Sequence, residues 1–208
     1  TYVDSLSGYG YRQYRVAALY GTDTLSAPSA AAEAYPGDCS PASQLLETDF
    51  EAGLSGWTVY SVSGTQSWGQ STVRSYSGIY AAAFIRVTEG SDDFLISPAL
   101  MLNGEGKQTL TYYENVDRAN QPAQHQVYIS SDYPGSGNPL NYTWTLLRDA
   151  MGTEDTWEAR QIDLSAFTGS VSIAFRYTAS GLRSSWFIDD VEVIQEVPCK
   201  VEWTGLAD

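Results

Sequence analysis

The sequence is poor in basic residues, with 11 lysines and arginines against 25 aspartates and glutamates and a net charge of -14. Nucleic acids and anionic lipid surfaces are bound through basic patches, so this balance argues against both as partners. No run approaches the ~18 consecutive apolar residues of a membrane-spanning helix. We therefore expect no nucleic-acid partner and no membrane insertion.

Histidine and cysteine are also scarce, with one His and two Cys. A four-ligand zinc site of the usual kind is excluded. His125 begins a predicted strand, and the chain has no Gly-x-Ser-x-Gly motif, so a Ser-His-Asp catalytic set is not indicated. The enzyme hypothesis that stays open is glycoside hydrolysis by a carboxylate pair, with four acids as candidates. They are Glu114, Asp117, Glu154 and Asp155.

Helix-favouring runs are nearly absent, whereas aromatic residues make up 13% of the chain. Short segments rich in aromatic and β-branched residues recur instead, each bounded by Gly, Ser, Asn or Asp, which is typical of strands. The nine predicted strands are Trp57 to Val62, Ile79 to Phe84, Phe94 to Ser97, Thr109 to Tyr113, Gln126 to Ser130, Thr143 to Leu147, Trp157 to Leu164, Val171 to Thr178 and Trp186 to Ile194.

The clearest alternation runs through Val171, Ile173, Phe175 and Tyr177, which have Ser, Ala and Arg between them. A period of two indicates a strand with one buried face. Nine such strands predict an all-β fold, an antiparallel jelly-roll β-sandwich.

The N-terminal segment differs from the rest. Residues 11–18 read as one strand and residues 23–29 as a turn into a second, and the pair resembles the last two strands of a fibronectin type III domain. We therefore predict fibronectin-like strands, a short β-hairpin and a linker over residues 1–38, the jelly roll over 39–199, and a tail over 200–208. The tail either opens a following domain or adds a strand here.

The two cysteines, Cys39 and Cys199, flank the predicted sandwich. The termini of a domain often lie close together, so a disulfide between them is reasonable and fits an exported chain. The alternative is two unrelated thiols.

An ordered set of motifs runs from residue 48 to residue 194. The set comprises Asp49–Trp57 (DFEAGLSGW), Ser67–Gly69, Gly78–Ala81, Asp92–Leu100 (DDFLISPAL), Val127–Tyr133, Ile162–Phe167, Ile173–Tyr177 and Trp186–Val193 (WFIDDVEV). It closely resembles the choice-of-anchor J domains of secreted Bacteroidetes-type proteins, which are similar to cleaved adhesin domains and more distantly to MAM domains. The resemblance implies a jelly roll on an exported, often surface-attached multidomain protein, in an accessory role of adhesion or of glycan or protein binding.

The last predicted strand contains a carboxylate in an apolar context. Alternation places Phe187, Asp189, Val191 and Val193 on one face, which would be the core. A buried carboxylate needs an Arg, a set of backbone N–H donors or a cation.

Three further acids are candidate partners of Asp189 in a metal site. Asp49 and Glu51 share one face of the first motif, and Asp93 opens another predicted strand. Together these four acids predict a structural calcium site, because calcium prefers several hard oxygen ligands. The alternative is that the acids cap turns or pair with Arg176 or Arg183.

Ligand binding is predicted in the polar, aromatic loop of residues 131–142, because loops at a sandwich rim carry specificity. Its candidate ligand-binding residues are Asp132, Tyr133, Asn138, Asn141 and Tyr142. Gly, Pro, Asn and Asp are also the ordinary residues of turns, so a plain hairpin turn is the alternative.

The sequence therefore predicts a non-catalytic adhesion or ligand-binding module of a secreted or cell-surface protein, with glycans or surface proteins as partners and calcium as a structural ion. Two alternatives stay open. One is a structural spacer or assembly subunit beside neighbouring domains, and the other is a carbohydrate-active enzyme domain.

Overall fold

The structure is a computed structural model. It describes residues 42–86, 88–119, 123–149, 152–180 and 184–196, together with the backbone of five short strands outside that range. The strands, numbered in chain order, are β1 (Arg12–Tyr14), β2 (Leu19–Tyr20), β3 (Thr24–Leu25), β4 (Ala32–Pro36), β5 (Ser43–Thr48), β6 (Thr58–Ser63), β7 (Gly69–Ser71), β8 (Ala81–Phe84), β9 (Ser91–Ile96), β10 (Leu100–Leu102), β11 (Gln108–Asp117), β12 (Ala123–Ser130), β13 (Thr145–Asp149), β14 (Glu158–Asp163), β15 (Gly169–Ala179), β16 (Ser185–Gln195) and β17 (Val201–Thr204).

The chain divides into two compact units. The smaller comprises Thr1–Pro41 and Val197–Asp208, and in it β4 pairs antiparallel with β1 on one side and with β17 on the other. The tail strand β17 therefore completes a three-stranded sheet with N-terminal strands. Strands β2 and β3 form a separate hairpin. Cys39 and Cys199 lie outside the described residues, so their disulfide stays a prediction.

The larger unit, Ala42–Glu196, is an antiparallel β-sandwich, as the sequence predicts, and it consists of two six-stranded sheets. In the β15 sheet the order is β13-β12-β15-β9-β6, with β10 also pairing with β15. In the β16 sheet the order is β14-β11-β16-β8-β7, with β5 also pairing with β16. Each of the nine predicted strands overlaps an observed one.

The core lies between the two sheets. From β15 it takes the alternating set Val171, Ile173, Phe175 and Tyr177, all at most 2% exposed. Trp186 of the opposite sheet packs its indole edge against Phe175, with ring centroids 5.9 Å apart. The alternation along β15 therefore marks a strand with one buried face, as predicted.

The alternation predicted for β16 is wrong, because a β-bulge interrupts that strand. Asp190 has a positive φ of 45°, and the register with β11 shifts so that Thr111 pairs with Glu192 whereas Tyr113 pairs with Asp189. One extra residue reverses the facing of every side chain beyond it. Phe187 and Asp189 therefore belong to the outer face of the sheet, whereas Val191 and Val193 belong to the core.

Helical structure in the described residues is limited to one 3-10 turn, Pro139–Asn141. Residues 164–167 form a tight turn, closed by the Phe167 N–H donating to the Leu164 carbonyl at 2.9 Å. No helix in the described part of the chain is long and apolar enough to cross a bilayer.

Candidate functional site

A groove of about 1090 Å³ runs across the outer face of the β16 sheet. We call it the β16 groove. Strands β5, β11, β14 and β16 form its floor, and the segment of residues 72–80, the 72–80 loop, contributes Ser77 to its wall. Its lining includes the acids Glu47, Asp49, Asp190 and Glu192.

One row of polar side chains crosses the floor of the groove from strand to strand. Glu47 pairs with Glu192, Glu192 with Thr111, and Thr111 with Gln161 in the register of the four strands. Side chains directly opposite one another on one face stand about 5 Å apart, and like charges so placed repel. The row therefore offers closely spaced hydrogen-bond acceptors and donors to anything lying in the groove.

Among the described residues that line the groove, the one basic residue is Arg160, and its guanidinium is already engaged on the inner side of β14. Its Nε donates to Glu114 Oε1 at 2.7 Å, and a terminal nitrogen donates to Glu158 Oε2 at 2.6 Å. The groove consequently has an excess of negative charge.

The 72–80 loop is held by carboxylates beneath it. Asp189 Oδ2 accepts from the N–H groups of Tyr76 at 2.8 Å and Ser77 at 3.2 Å. Glu51 Oε1 accepts from the N–H groups of Ile79 at 2.7 Å and Tyr80 at 2.6 Å. Charge-assisted hydrogen bonds of this kind are strong, so two carboxylates fix the backbone of the loop.

Arg74 ties the start of the same loop to the sheet. Its guanidinium donates to Asn115 Oδ1 at 3.1 Å, pairs with Asp117 and Asp155, and lies 5.5 Å above the Phe187 ring. The loop is therefore fastened at both of its halves.

Apolar side chains project from this fixed loop. Val73 is 68% exposed, Tyr76 45% and Ile79 63%. Tyr76 stacks on Tyr113 of the groove floor, with ring centroids 3.5 Å apart, and meets Trp157 edge-on at 5.9 Å. Exposed aromatic surface beside polar groups is typical of a ligand-binding site.

Two of the four predicted metal ligands bind the 72–80 loop. Glu51 and Asp189 accept hydrogen bonds from its backbone, whereas Asp49 lies in the lining of the β16 groove. Asp189 is fully buried, and the N–H groups of Tyr76, Ser77 and Asp190 satisfy both of its oxygens. Burial outweighs these donors and raises the pKa of Asp189 to about 6.

The structure does not bring the fourth predicted ligand, Asp93, to this place. Asp93 lies on β9 of the other sheet, is 0% exposed, and neither carboxylate oxygen has a hydrogen-bond partner. Burial raises its pKa to about 6, although the nearby Ser61 hydroxyl opposes the shift. Among the described residues, no group of three or more His, Cys, Asp or Glu side chains is arranged to hold a metal ion.

The predicted ligand loop uses most of its polar groups internally. Asp132 accepts from the Thr143 N–H and the Ser130 hydroxyl, and Asn138 caps the 3-10 turn by accepting from the Leu140 N–H. Tyr133 is buried, and with Tyr142 it belongs to a second apolar cluster on the outer face of the β15 sheet. Asn141 stays exposed.

Three of the four candidate catalytic acids are held by arginines. Glu114 is buried and binds Arg148 and Arg160, both at 2.7 Å, and accepts from Trp186 Nε1 at 3.0 Å. Asp117 pairs with Arg74 and Arg86, and Asp155 with Arg74. Glu154 is exposed at an isolated bridge to β11.

His125 is buried too. It stacks on Trp186 at 4.6 Å, and desolvation lowers its pKa to about 3.

The groove residues Glu47, Gln161, Asp190 and Glu192 and the stacked Tyr76 and Tyr113 are absent from the sequence-based candidates. Two signals were available, namely the polar alternation of Thr111 and Tyr113 on β11 and the run of acids in WFIDDVEV. Neither showed that β5 lies beside β16, which requires the sheet topology.

Residues 33–193 match the family model of the Cleaved Adhesin Domain. No curated protein matches the chain at a significant level. Several solved structures share the fold at low sequence identity.

The K3 cleaved adhesin domain of Lys-gingipain from Porphyromonas gingivalis is 20% identical over 74% of this chain and 99% of its own, with a TM-score of 0.59. The K1 domain of the same protein is 24% identical over 71% and 96%, with a TM-score of 0.56. A xylan-binding domain of Paenibacillus barcinonensis Xyn10C is 17% identical over 76% and 97%, with a TM-score of 0.53.

Proposed function

This chain belongs to the cleaved adhesin domain family, and from that membership we propose that it is a non-catalytic module of a secreted or cell-surface multidomain protein that binds glycan in the β16 groove. The family and its fold make it an adhesion or carbohydrate-binding module. The single observation that carries the choice of site is the groove itself, about 1090 Å³ of open space lined by acids, amides and tyrosine.

The chemistry of the lining supports a sugar ligand. Carboxylate and amide side chains such as Glu192 and Gln161 hydrogen-bond sugar hydroxyls, and an aromatic face such as that of Tyr76 stacks against a pyranose ring. The related xylan-binding domain, which shares the fold, is itself a glycan binder by its description.

A binding rather than a cleaving role is supported by the state of the acids. Glycoside hydrolysis needs one carboxyl that donates a proton and a second that acts as a nucleophile or base. Glu114 and Asp117 are each bound by two arginines, which holds both carboxyls in salt bridges.

The test is glycan binding by two matched double variants, measured by calorimetry after a glycan-array screen. Gln161→Ala with Glu192→Ala removes two groove side chains, whereas Gln124→Ala with Glu105→Ala makes the same changes at exposed sites away from the groove. We expect the first to weaken binding at least about tenfold, since each lost hydrogen bond contributes about 1 kcal/mol, and the second to leave it unchanged. Equal affinities would place the site elsewhere, and no glycan binding at all would favour the spacer alternative.

We also propose that calcium binds beside the 72–80 loop, held by Asp49 and Asp190 with the Ser77 hydroxyl, backbone carbonyls and water. The support is chemical, because these are hard oxygen donors of the kind calcium takes. Asp189 is already satisfied by N–H groups, so it orients the loop. Calcium should raise the melting temperature of the chain relative to EDTA, and Asp49→Asn should reduce that rise. Identical melting curves in calcium and EDTA would contradict the proposed calcium site.

A further inference from the structure

The charge of the β16 groove limits which glycans it accepts. Its described lining includes the acids Glu47, Asp49, Asp190 and Glu192. The proposed calcium would occupy Asp49 and Asp190, but the Glu47 and Glu192 carboxylates carry their charge with or without that ion. Arg160, the one basic residue of the described lining, directs its guanidinium to Glu114 and Glu158. A uronate, sulfate or sialate group in the groove would meet carboxylates within a few ångströms and find no free cation there. Like charges at such distances repel, and the net charge of -14 adds to the repulsion.

Uncharged sugars are not repelled by the groove carboxylates. Their hydroxyls donate hydrogen bonds, and ionised carboxylates accept more strongly than neutral oxygens do. Glu47 and Glu192 face each other across β5 and β16, an arrangement that costs stability in the empty sheet. A hydroxyl-rich chain lying over the pair would hydrogen-bond both carboxylates without adding charge.

Tyr76 provides an aromatic surface at the edge of the same groove. It is 45% exposed and rests on Tyr113, whose ring lies parallel to it within 12°. Trp157 meets Tyr76 edge-on, so two neighbours hold the ring in place. The backbone beneath it is fixed by Asp189, and little conformational entropy is lost when a ligand binds to such a fixed surface.

We infer that the β16 groove selects an uncharged glycan chain over an anionic one, with Tyr76 as the stacking platform for one sugar ring and the groove carboxylates as hydroxyl acceptors. The inference rests on the proposed glycan-binding function and adds the ligand class and the residue that contacts the ring. It also gives the 72–80 loop a role in ligand binding. The apolar side chains of this loop are exposed, and two carboxylates hold its backbone.

The experiment compares a neutral xylan or galactan oligosaccharide with an oligogalacturonate of equal length, by calorimetry with the full chain in EDTA at low and high salt. EDTA keeps the proposed calcium from bridging the groove acids to the galacturonate. We expect the neutral chain to bind at least about tenfold more tightly at low salt, and added salt to narrow the gap because it screens the repulsion. The double variant Glu47→Gln with Glu192→Gln should also reduce the difference in affinity, because it removes two carboxylates that repel the anionic chain. Tighter binding of the galacturonate would overturn the inference and leave glycan binding intact, whereas binding of neither chain would overturn both.

A pair of tyrosine variants tests the stacking residue. Tyr76→Ala should lower the affinity for the neutral oligosaccharide about tenfold, consistent with the loss of one aromatic stacking contact. Tyr142→Ala is the matched control, because this tyrosine is half-buried in the apolar cluster on the outer face of the other sheet. If Tyr142→Ala abolishes binding and Tyr76→Ala leaves it unchanged, the ligand lies on the 131–142 loop and the inference is wrong. Circular dichroism and melting curves of both variants exclude unfolding as the cause.

Discussion

Asp93 and Asp189 are fully buried carboxyls that differ in how their neighbours satisfy them. Asp189 has three backbone N–H donors, whereas Asp93 has no hydrogen-bond partner for either oxygen. The sequence identified Asp189 as a core-facing carboxylate that needs compensation, and Asp93 only as a further candidate metal ligand at the start of a strand. It did not reveal the donors for Asp189, because they come from a loop more than 100 residues away in the chain.

Replacing Asp93 with Asn should stabilise the protein at neutral pH. The folded state holds the Asp93 proton more tightly than the unfolded state, since its pKa rises from 3.8 to about 6. The tighter proton binding adds to the free energy of unfolding, and this gain is fully present below pH ~4 and is lost as the pH rises through about 6. Each pKa unit of difference corresponds to roughly 1.4 kcal/mol of stability. Asp93→Asn removes the titration, so chemical denaturation should show a gain of about 3 kcal/mol at pH 8 and little or no gain at pH 4.

Asp92 on the same strand is the control for that experiment. Its carboxylate makes two hydrogen bonds of 2.8 Å to Arg176 on the opposite face of the β15 sheet. Asp92→Asn should therefore destabilise the fold at neutral pH. A loss of stability in Asp93→Asn at pH 8 would mean that an ionised Asp93 has a partner after all.

Among the elements, the edge strands β13 and β14 are joined through one buried carboxylate. Arg148 of β13 and Arg160 of β14 both bind Glu114, each at 2.7 Å, so an ion cluster connects the two sheets at their open edge. Removing one partner of a buried charge cluster leaves the others uncompensated. Urea unfolding of Glu114→Gln should show a loss of about 3–5 kcal/mol.

Glu158 gives the matched comparison, because it binds Arg160 from a partly exposed position. Glu158→Gln should cost about 1 kcal/mol or less, as exposed pairs do. Equal losses in the two variants would contradict the role assigned to burial of Glu114.

The 72–80 loop depends on a glycine next to Glu51. Gly78 has a φ of +56°, and a Cβ at this position would collide with the Glu51 carboxylate that anchors the loop. Gly78→Ala should therefore displace the loop and reduce glycan affinity by at least about tenfold, measured by calorimetry. Gly53→Ala has the same kind of backbone, φ +87°, with open space around it, so it should lower stability slightly and keep the affinity.

The strands could be predicted from the sequence to the extent that their side chains alternate. Val171 to Thr178 lies within β15, where large apolar residues alternate with Ser, Ala, Arg and Thr. β5 was missed because Ser43–Thr48 has only two apolar residues, adjacent to each other, and its place in the sheet comes from pairing with β16. The bulge at Asp190 was missed as well, because no local signal marks the extra residue.

At the scale of the whole molecule, residues 42–196 should fold without the remainder of the chain. This segment forms one compact unit with both sheets and the β16 groove. We expect a fragment of these residues to show a cooperative melting transition and to bind glycan with the affinity of the full chain. A fragment that melts broadly or binds more weakly would show that the smaller unit or the predicted Cys39–Cys199 disulfide is required.

The fold and the family could be predicted from the ordered motifs, whereas the binding site proposed here could not. Jelly-roll topology brings β5, β11, β14 and β16 side by side from four distant parts of the chain. The sequence favoured the 131–142 loop because its aromatic and polar residues are contiguous. In the structure Asp132 accepts from the flanking residues Ser130 and Thr143, and Asn138 accepts from Leu140 within the loop.

The most direct test of the account is to locate the ligand on the folded chain by solution NMR, with 15N-labelled protein titrated with a neutral oligosaccharide. The account predicts that shifted amides cluster at Thr111, Gln161, Glu192 and the 72–80 loop. Shifts confined to residues 131–144 and β12 would contradict it by placing the ligand on the opposite face of the sandwich.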